Sequence, residues 1–254
     1  MADVSNMFVS ERFNLMLEYL KKNGRATVDE LAEKMYVSKA TVRRDLSQMQ
    51  KMGLIQRTHG GAIPFDNSDE VNIFVRMEKN QGDKVETATL ALNKIPEFTS
   101  VFIDNSSTCL ALAERMNFDY KTVVTNGLQL ALKLSPRENV KVILLGGVVQ
   151  FKTFSTSGVQ ANLDLEMFRF DIMLCGATGI DKDGAYESNS DTMIIKKQAF
   201  AQSAKRYLLV DKSKFGQSYM YRNQKVEEYD AIITNAPDEL CQDLRTRGAN
   251  VVNR

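Results

Sequence analysis

Two sets of residues in this sequence have the types and spacing to do chemistry. The first lies between positions 38 and 60, where Lys39, Arg43, Arg44, Lys51 and Arg57 stand against a single acid, Asp45. A local cationic patch of this kind attracts a phosphate backbone, and guanidinium groups also donate in pairs to base edges. Thr58, His59 and Gly60 follow at once and add further donors. The second set is dispersed: Asp104-Asn105-Ser106-Ser107-Thr108, Thr125-Asn126-Gly127, Gly146-Gly147, Gly176 to Asp181, and Asp211-Lys212-Ser213-Lys214. Hydroxyls and free amides at helix starts suit a phosphate. Lys214 adds a point charge, and Asp104 or Asp181 can accept hydrogen bonds from sugar hydroxyls. Taken singly, each of these segments is an ordinary turn.

Other chemistries find little support. Cys109, Cys175 and Cys241 are odd in number and lack C-x-x-C spacing, and His59 is the single histidine, so neither a metal site nor a disulfide framework is expected, and no cofactor is implied. The 254 residues carry 33 Lys plus Arg against 32 Asp plus Glu, and 43% are apolar, which excludes disordered and fibrous classes. Residues 1 to 65 hold ten basic side chains against seven acidic ones, leaving 23 and 25 for the rest, so the N-terminal quarter is the basic one. Apolar runs such as Val142 to Val149 fall far short of the ~20 residues a membrane span needs. Asp3, Glu11 and Arg12 interrupt the beginning of the chain, so no secretory leader and a cytoplasmic location are expected.

The elements that must position the basic residues read as three helices and a hairpin. Phe13, Leu15, Met16, Leu17, Tyr19 and Leu20 recur at helical spacing before Lys22-Asn23-Gly24. Thr27-Val28-Asp29-Glu30 has the capping-box arrangement, starting a short second helix through Met35. Ser38 can cap a third, with Val42, Leu46 and Met49 as its buried stripe. Two helices joined by a tight turn, the second rich in Arg, match a helix-turn-helix. Leu54 to Ala62 reads as strand, turn and strand, a wing in which the paired glycines are expected to supply positive φ. The first turn of the third helix would then enter the major groove, with Lys39, Ala40, Thr41 and Arg43 nearest the base edges and Arg44 nearer phosphate.

Beyond Pro64 the sequence turns polar through Asp66, Asn67, Ser68 and Asp69, which suits a linker, and Glu70 to Ile95 reads as helical. Three regions follow: residues 1–64 as a winged helix-turn-helix, 65–84 as a linker or hinge, and 85–254 as an α/β domain. In the last, apolar strands near 101–103, 122–124, 140–145, 172–175, 207–210 and 231–234 alternate with helices near 109–116, 128–134 and 193–205. That alternation indicates a mostly parallel sheet covered on both faces, whose ligands bind beyond the carboxyl ends of the strands.

The string SKATVRRDL at 38–46, followed by RTHGGA at 57–62, resembles the DeoR family of bacterial transcriptional regulators. The order DNSST, VVTNG, LLGG, SG at 157–158, GATGID and LVDKSKFG is similar to the sensor domain of that family, so the resemblance covers nearly the whole chain. It implies an N-terminal winged helix-turn-helix joined to a C-terminal α/β sensor related in fold to ribose-5-phosphate isomerase and the coenzyme A transferases. It further implies a repressor of carbohydrate genes that binds a double-stranded DNA operator through Ser38, Lys39, Ala40, Thr41, Arg43, Arg44, Arg57, Thr58, His59 and Gly60. The implied effector is a phosphorylated sugar or related metabolite, held by Asp104, Ser106, Ser107, Thr108, Thr125, Asn126, Gly146, Gly147, Asp181 and Lys214. A homo-oligomer, dimer or tetramer, and no membrane partner complete the expectation. Where the family commonly has glycine and two threonines, this chain has Ser106, Ser107 and Thr108, so a side chain narrows the phosphate loop.

The alternative is a sugar-phosphate isomerase fused to a DNA-binding module. Proton abstraction beside a carbonyl needs a carboxylate base. Aligned with the isomerases, Cys175 and Thr178 stand where those enzymes have aspartates and Lys196 stands where they have the catalytic glutamate. Asp181, Glu187 and Asp191 remain as nearby carboxylates. A pocket without its base is a sensor, and no enzymatic activity is expected.

Overall fold

The apolar stripes of the first sixty residues converge on a single core in which Met16, Leu20, Leu31, Val42, Leu46, Met49 and Ile55 are wholly buried. The computed structural model describes residues 9–51, 54–64 and 72–253, and the chain divides between Glu78 and Lys79 into two units. The first unit runs α1 (Val9–Asn23), β1 (Ala26–Thr27), α2 (Val28–Met35), α3 (Lys39–Lys51), β2 (Ile55–Thr58), β3 (Gly61–Pro64) and α4 (Ile73–Glu78). Its capping box is formed: the Thr27 hydroxyl accepts from the Glu30 amide at 3.2 Å, and the Glu30 carboxylate accepts from the Thr27 amide at 2.7 Å. Tyr36 ends α2 in the left-handed conformation with φ 53°, which turns the chain sharply toward α3. Arg12 and Asp45 form a buried bidentate pair, 3.1 Å on its longer arm, that fastens α1 to α3.

The second unit begins with α5 (Gln81–Leu92), β4 (Ser100–Ile103), α6 (Ser107–Ala113), β5 (Thr122–Thr125), α7 (Leu128–Leu134) and β6 (Lys141–Leu144). It continues with β7 (Val148–Gln150), β8 (Ser155–Ser157), α8 (Val159–Glu166), β9 (Phe170–Cys175), β10 (Gly179–Asp181), β11 (Gly184–Glu187) and α9 (Ser190–Ala201). β12 (Ser203–Leu209), β13 (Tyr221–Arg222), β14 (Ala231–Ile233), α10 (Asp238–Thr246) and β15 (Val251–Val252) complete it. Seven strands lie in the order β15-β14-β12-β9-β4-β5-β6, every neighbouring pair parallel. Parallel strands need both faces covered, and accordingly Phe102, Val124, Met173, Leu208 and Ile232 are buried on one face and Val101, Ile103, Val123, Leu174 and Leu209 on the other. The strand order reverses between β4 and β9, so the switch-point crevice opens beyond Ile103 and Cys175.

Several boundaries differ from the sequence reading. The single helix expected over 70–95 is two, because Asn80 takes φ 54° and breaks the ladder between Glu78 and Gln81. Residues 81–84, read as linker, form the first turn of α5, where Lys84 is buried and its ammonium donates to the Lys79 carbonyl at 2.6 Å. The helix expected to run to Lys205 stops at Ala201, where the Ser203 hydroxyl bonds back to the Ala199 carbonyl at 2.7 Å and β12 takes over. Gly53 and the polar stretch 65–71 lie outside the described residues. Two small antiparallel sheets, β7-β8 and β10-β11-β13, were not expected.

Candidate functional site

Helix α3 presents its charge outward for a reason set in the core. Asp45, the acid nearest its arginines in sequence, turns inward to Arg12, and that hydrogen bond raises the guanidinium's pKa further. Lys39, Arg43 and Arg44 are left exposed on the opposite side, beside exposed Ser38 and Ala40 and half-buried Thr41. Ser38 caps the helix, its hydroxyl accepting from the Thr41 amide at 3.1 Å. From the hairpin, Arg57 donates to the Ser47 hydroxyl at 3.0 Å, and Ser47 bonds the Arg43 carbonyl at 2.8 Å, so wing and helix share one polar seam. Arg43, Arg57, Thr58, His59 and Gly60 line a groove of about 610 Å³.

Thr27, Val28 and Asp29, which also line it, were not anticipated. Asp29 accepts from Lys39 at 2.9 Å. The signal was the capping box itself, which places the start of α2 beside the wing through the Val28 amide on the Gly60 carbonyl at 2.8 Å. The wing glycines correct an expectation: neither Gly60 nor Gly61 has positive φ. Gly61 is required because β3 passes close to β1, where an added Cβ would stand 1.9 Å from the Ala26 carbonyl oxygen, whereas Gly60 faces open space.

In the second unit the carboxyl ends of β4 and β9 are locked together by a buried ion cluster. Asp104 accepts from the amides of Ser106 and Gly176, both at 3.0 Å, and pairs with the Lys196 ammonium at 3.0 Å. Lys196 also donates to the Glu187 carboxylate at 2.5 Å and to the Gly176 carbonyl at 2.8 Å, while Thr178 donates to Glu187 at 3.1 Å. All three ionic side chains are at most 4% exposed. Burial opposes every one of these charges. For Asp104 the Lys196 charge and the Ser106 and Gly176 hydrogen bonds outweigh it, and its pKa falls. Lys196 is driven up by its two carboxylates despite burial, and Glu187 is left raised, burial dominating. Burial also pushes the flanking Cys109 and Cys175 thiols up, and the Asp104 charge adds to it.

The residues singled out from sequence follow the ends of several strands, and of them the Ser106 segment, Gly176 and Thr178 are in contact with this cluster. Ser106 caps α6, accepting from the Cys109 amide at 3.2 Å, and its Cβ packs where Gly176 has none. Ser107 is half-buried and Thr108 buried. Thr125 accepts from the Gly127 amide at 2.9 Å. Asn126 donates to the Thr156 carbonyl at 3.3 Å, leaving its buried Oδ1 with no partner. The Gly146 amide bonds Asp164 at 2.9 Å, and Gly147, at φ 119°, lies against the Ser157 carbonyl. Lys214 sits half-buried in the turn after β12, where Asp211 is fully buried with one carboxylate oxygen unpartnered.

Asp104 and Asp181 behave otherwise than expected. Both oxygens of Asp104 are occupied by the cluster, so it braces the crevice rather than facing a ligand. Asp181 turns the β10–β11 hairpin, accepting from the amides of Asp183 and Gly184 and from the Tyr186 hydroxyl. The adjacent Asp183 reaches Arg247, which ends α10 just before β15 starts, so this turn lies toward the opposite end of the strands. Sequence reading missed a polar group that the β7–β8 hairpin brings to the crevice. Gln150 donates to Ser157 at 2.9 Å and to Asp191 at 3.3 Å, and Ser157 donates to Asp191 at 3.1 Å. The Ser157-Gly158 pair and Asp191, already noted as a nearby carboxylate, signalled it, whereas Gln150 had no signal.

Residues 12–67 match the DeoR-like helix-turn-helix domain and residues 79–236 match the DeoR C terminal sensor domain. The chain belongs to the DeoR family. Over 231 residues it is 32% identical to the glycerol-3-phosphate regulon repressor of Escherichia coli, covering 90% of this chain and 91% of that one. It is 30% identical to the HTH-type transcriptional repressor GlcR of Bacillus subtilis, over 95% and 94%. The L-fucose operon activator of Haemophilus influenzae shares 32% identity over 90% and 94%. Among solved structures, ribose 5 phosphate isomerase A of Neisseria gonorrhoeae is similar over 55% of this chain and 53% of its own, at 18% identity and a TM-score of 0.37, a likeness too slight to bear on activity. This DeoR-family chain is thus a DNA-binding transcriptional regulator and not an isomerase. Among its described residues, no helix is long and apolar enough to cross a membrane.

Proposed function

We propose that this regulator represses genes of sugar or polyol-phosphate metabolism from the cytoplasm, as a homo-oligomeric dimer or tetramer on a double-stranded operator. Two of the three relatives described above are named repressors, which favours that sign. The observation that carries the DNA reading is the burial of Asp45, which leaves Lys39, Arg43, Arg44 and Arg57 exposed on one surface. In this reading Lys39, Ala40, Thr41 and Arg43 meet base edges, Ser38 and Arg44 meet phosphate, and Arg57, Thr58, His59 and Gly60 hold the flanking backbone.

A phosphorylated sugar occupies the switch-point crevice, its phosphate near Ser106, Ser107, Thr108 and Lys214. Its hydroxyls are within the chemistry of Asn126 Oδ1, Asp211, Gly146 and Gly147. The ligand acts by binding one arrangement of the oligomer more tightly than the other.

Fluorescence anisotropy on DNA from upstream of its own gene tests the reading. Arg43→Ala is expected to cost about 1–3 kcal/mol on the specific site and to relax specificity. Arg44→Ala is expected to weaken all sequences alike and lower the salt slope by about one. Equal loss for both variants on every sequence contradicts this division. Thermal shift against glycerol 3-phosphate and a set of pentose and hexose phosphates tests the sensor. A hit lost in Lys214→Ala supports it, and no shift with any of them removes the effector class proposed.

A further inference from the structure

One surface of the second unit is apolar and uncovered. Along α8, Val159, Leu163 and Met167 recur every fourth residue and are 77%, 50% and 75% exposed. A helix normally turns such a stripe to a core, and α8 already buries Ala161 and Leu165 on its other side. Val148 of β7, 64% exposed, continues the surface, lying 3.9 Å from where a side chain on Gly158 would begin.

We propose that this face of α8 and β7 is where a second copy of the chain docks, across a two-fold axis. Three observations favour a like copy over another occupant. The four side chains leave roughly 450 Å² exposed as one apolar patch, over half of the ~800 Å² each partner contributes to a standard interface. Residues 141–168 carry Lys141 and Lys152 against Asp164 and Glu166, so no net charge selects an acidic or basic partner or a charged membrane. A single apolar stripe centred on Leu163 is also self-complementary, since a two-fold axis sets the same patch on both subunits. The inference rests on the homo-oligomer of the proposed function. Its test needs neither DNA nor effector, so the two can fail separately.

Analytical ultracentrifugation of the full chain, at concentrations up to about 100 μM, provides the test. The wild-type chain is expected to self-associate. Leu163→Glu and Val159→Glu, each placing an unpaired charge in the interface, are expected to weaken association roughly a hundredfold or more, with far-UV circular dichroism and Tm unchanged. Tyr120→Glu, at an 85% exposed site off this face, is expected to leave association intact. Should Leu163→Glu lose its native spectrum, Met167→Lys replaces it. A tetramer reduced to dimers by these variants also places one interface here. A wild-type chain that stays monomeric, or variants that associate as before, overturn the proposal. Loss of operator binding by the wild-type chain sinks the functional reading alone.

Discussion

Lys196 holds two carboxylates and a main-chain carbonyl at a site where all three ionic side chains are buried, so removing its charge exposes the cost of burying the others. Lys196→Met is expected to destabilise the second unit by about 3–5 kcal/mol, read from urea denaturation. A loss below 1 kcal/mol shows the cluster to be solvated. Stability drawn from the raised Lys196 pKa is present below the ordinary lysine range and is lost only as pH rises through the elevated value. Asp171 gives the opposite sign. The Thr99 hydroxyl and the amides of Thr99 and Ser100 hold its carboxyl at about 2, so its contribution is present above the usual carboxylate range and is lost as pH falls toward 2. Between pH 5 and 2.5 the urea midpoint of the wild-type chain is therefore expected to fall more steeply than that of Asp171→Asn. Parallel curves would remove Asp171 from the acid response.

Among the elements, the wing is the one a single methyl group can break. Gly61→Ala drives a Cβ into the Ala26 carbonyl and is expected to part β1 from β3, costing more than about 2 kcal/mol in the first unit and weakening operator binding. Gly60→Ala meets nothing and is expected to stay within about 0.5 kcal/mol. Thermal denaturation of both variants decides it. That contrast also marks what was legible in sequence. The glycine pair pointed to a wing, but only the third strand, β1, reveals which glycine is needed and that contact, not φ, is the reason. Caps and the helical stripes were readable because they act within a few residues, as at Thr27 and Ser38. Parallel strands were readable as short apolar runs. The break at Asn80 was not, since asparagine in the left-handed region is one option among several for that residue. Asp104 was misplaced because its partners Lys196 and Gly176 are set by tertiary packing rather than spacing, and Asp181 because the sequence reading did not see the β10–β11 hairpin whose turn takes up its carboxylate.

Each of the two units buries apolar side chains of its own, the first around Met16, Leu31 and Leu46 and the second on both faces of its sheet, around Phe102, Met173 and Leu208 and around Ile103, Leu174 and Leu209. Calorimetry is expected to resolve two transitions. A phosphorylated sugar at a hundred times its Kd is expected to raise only the sensor transition, by about 2.7 kcal/mol of stability. A single transition that moves as one would show the units to be energetically coupled in the free protein.

The three cysteines, all buried and free, belong to the second unit alone. Burial keeps them as thiols, and a thiol attacks an aromatic disulfide reagent only as the exposed thiolate. Nature has thereby left a clock in the sensor and none in the DNA-binding unit. Under native conditions the labelling rate of Cys109, Cys175 and Cys241 counts openings of the sensor core. Bound effector is expected to slow that rate in proportion to its occupancy, while fraying of the wing leaves the count untouched.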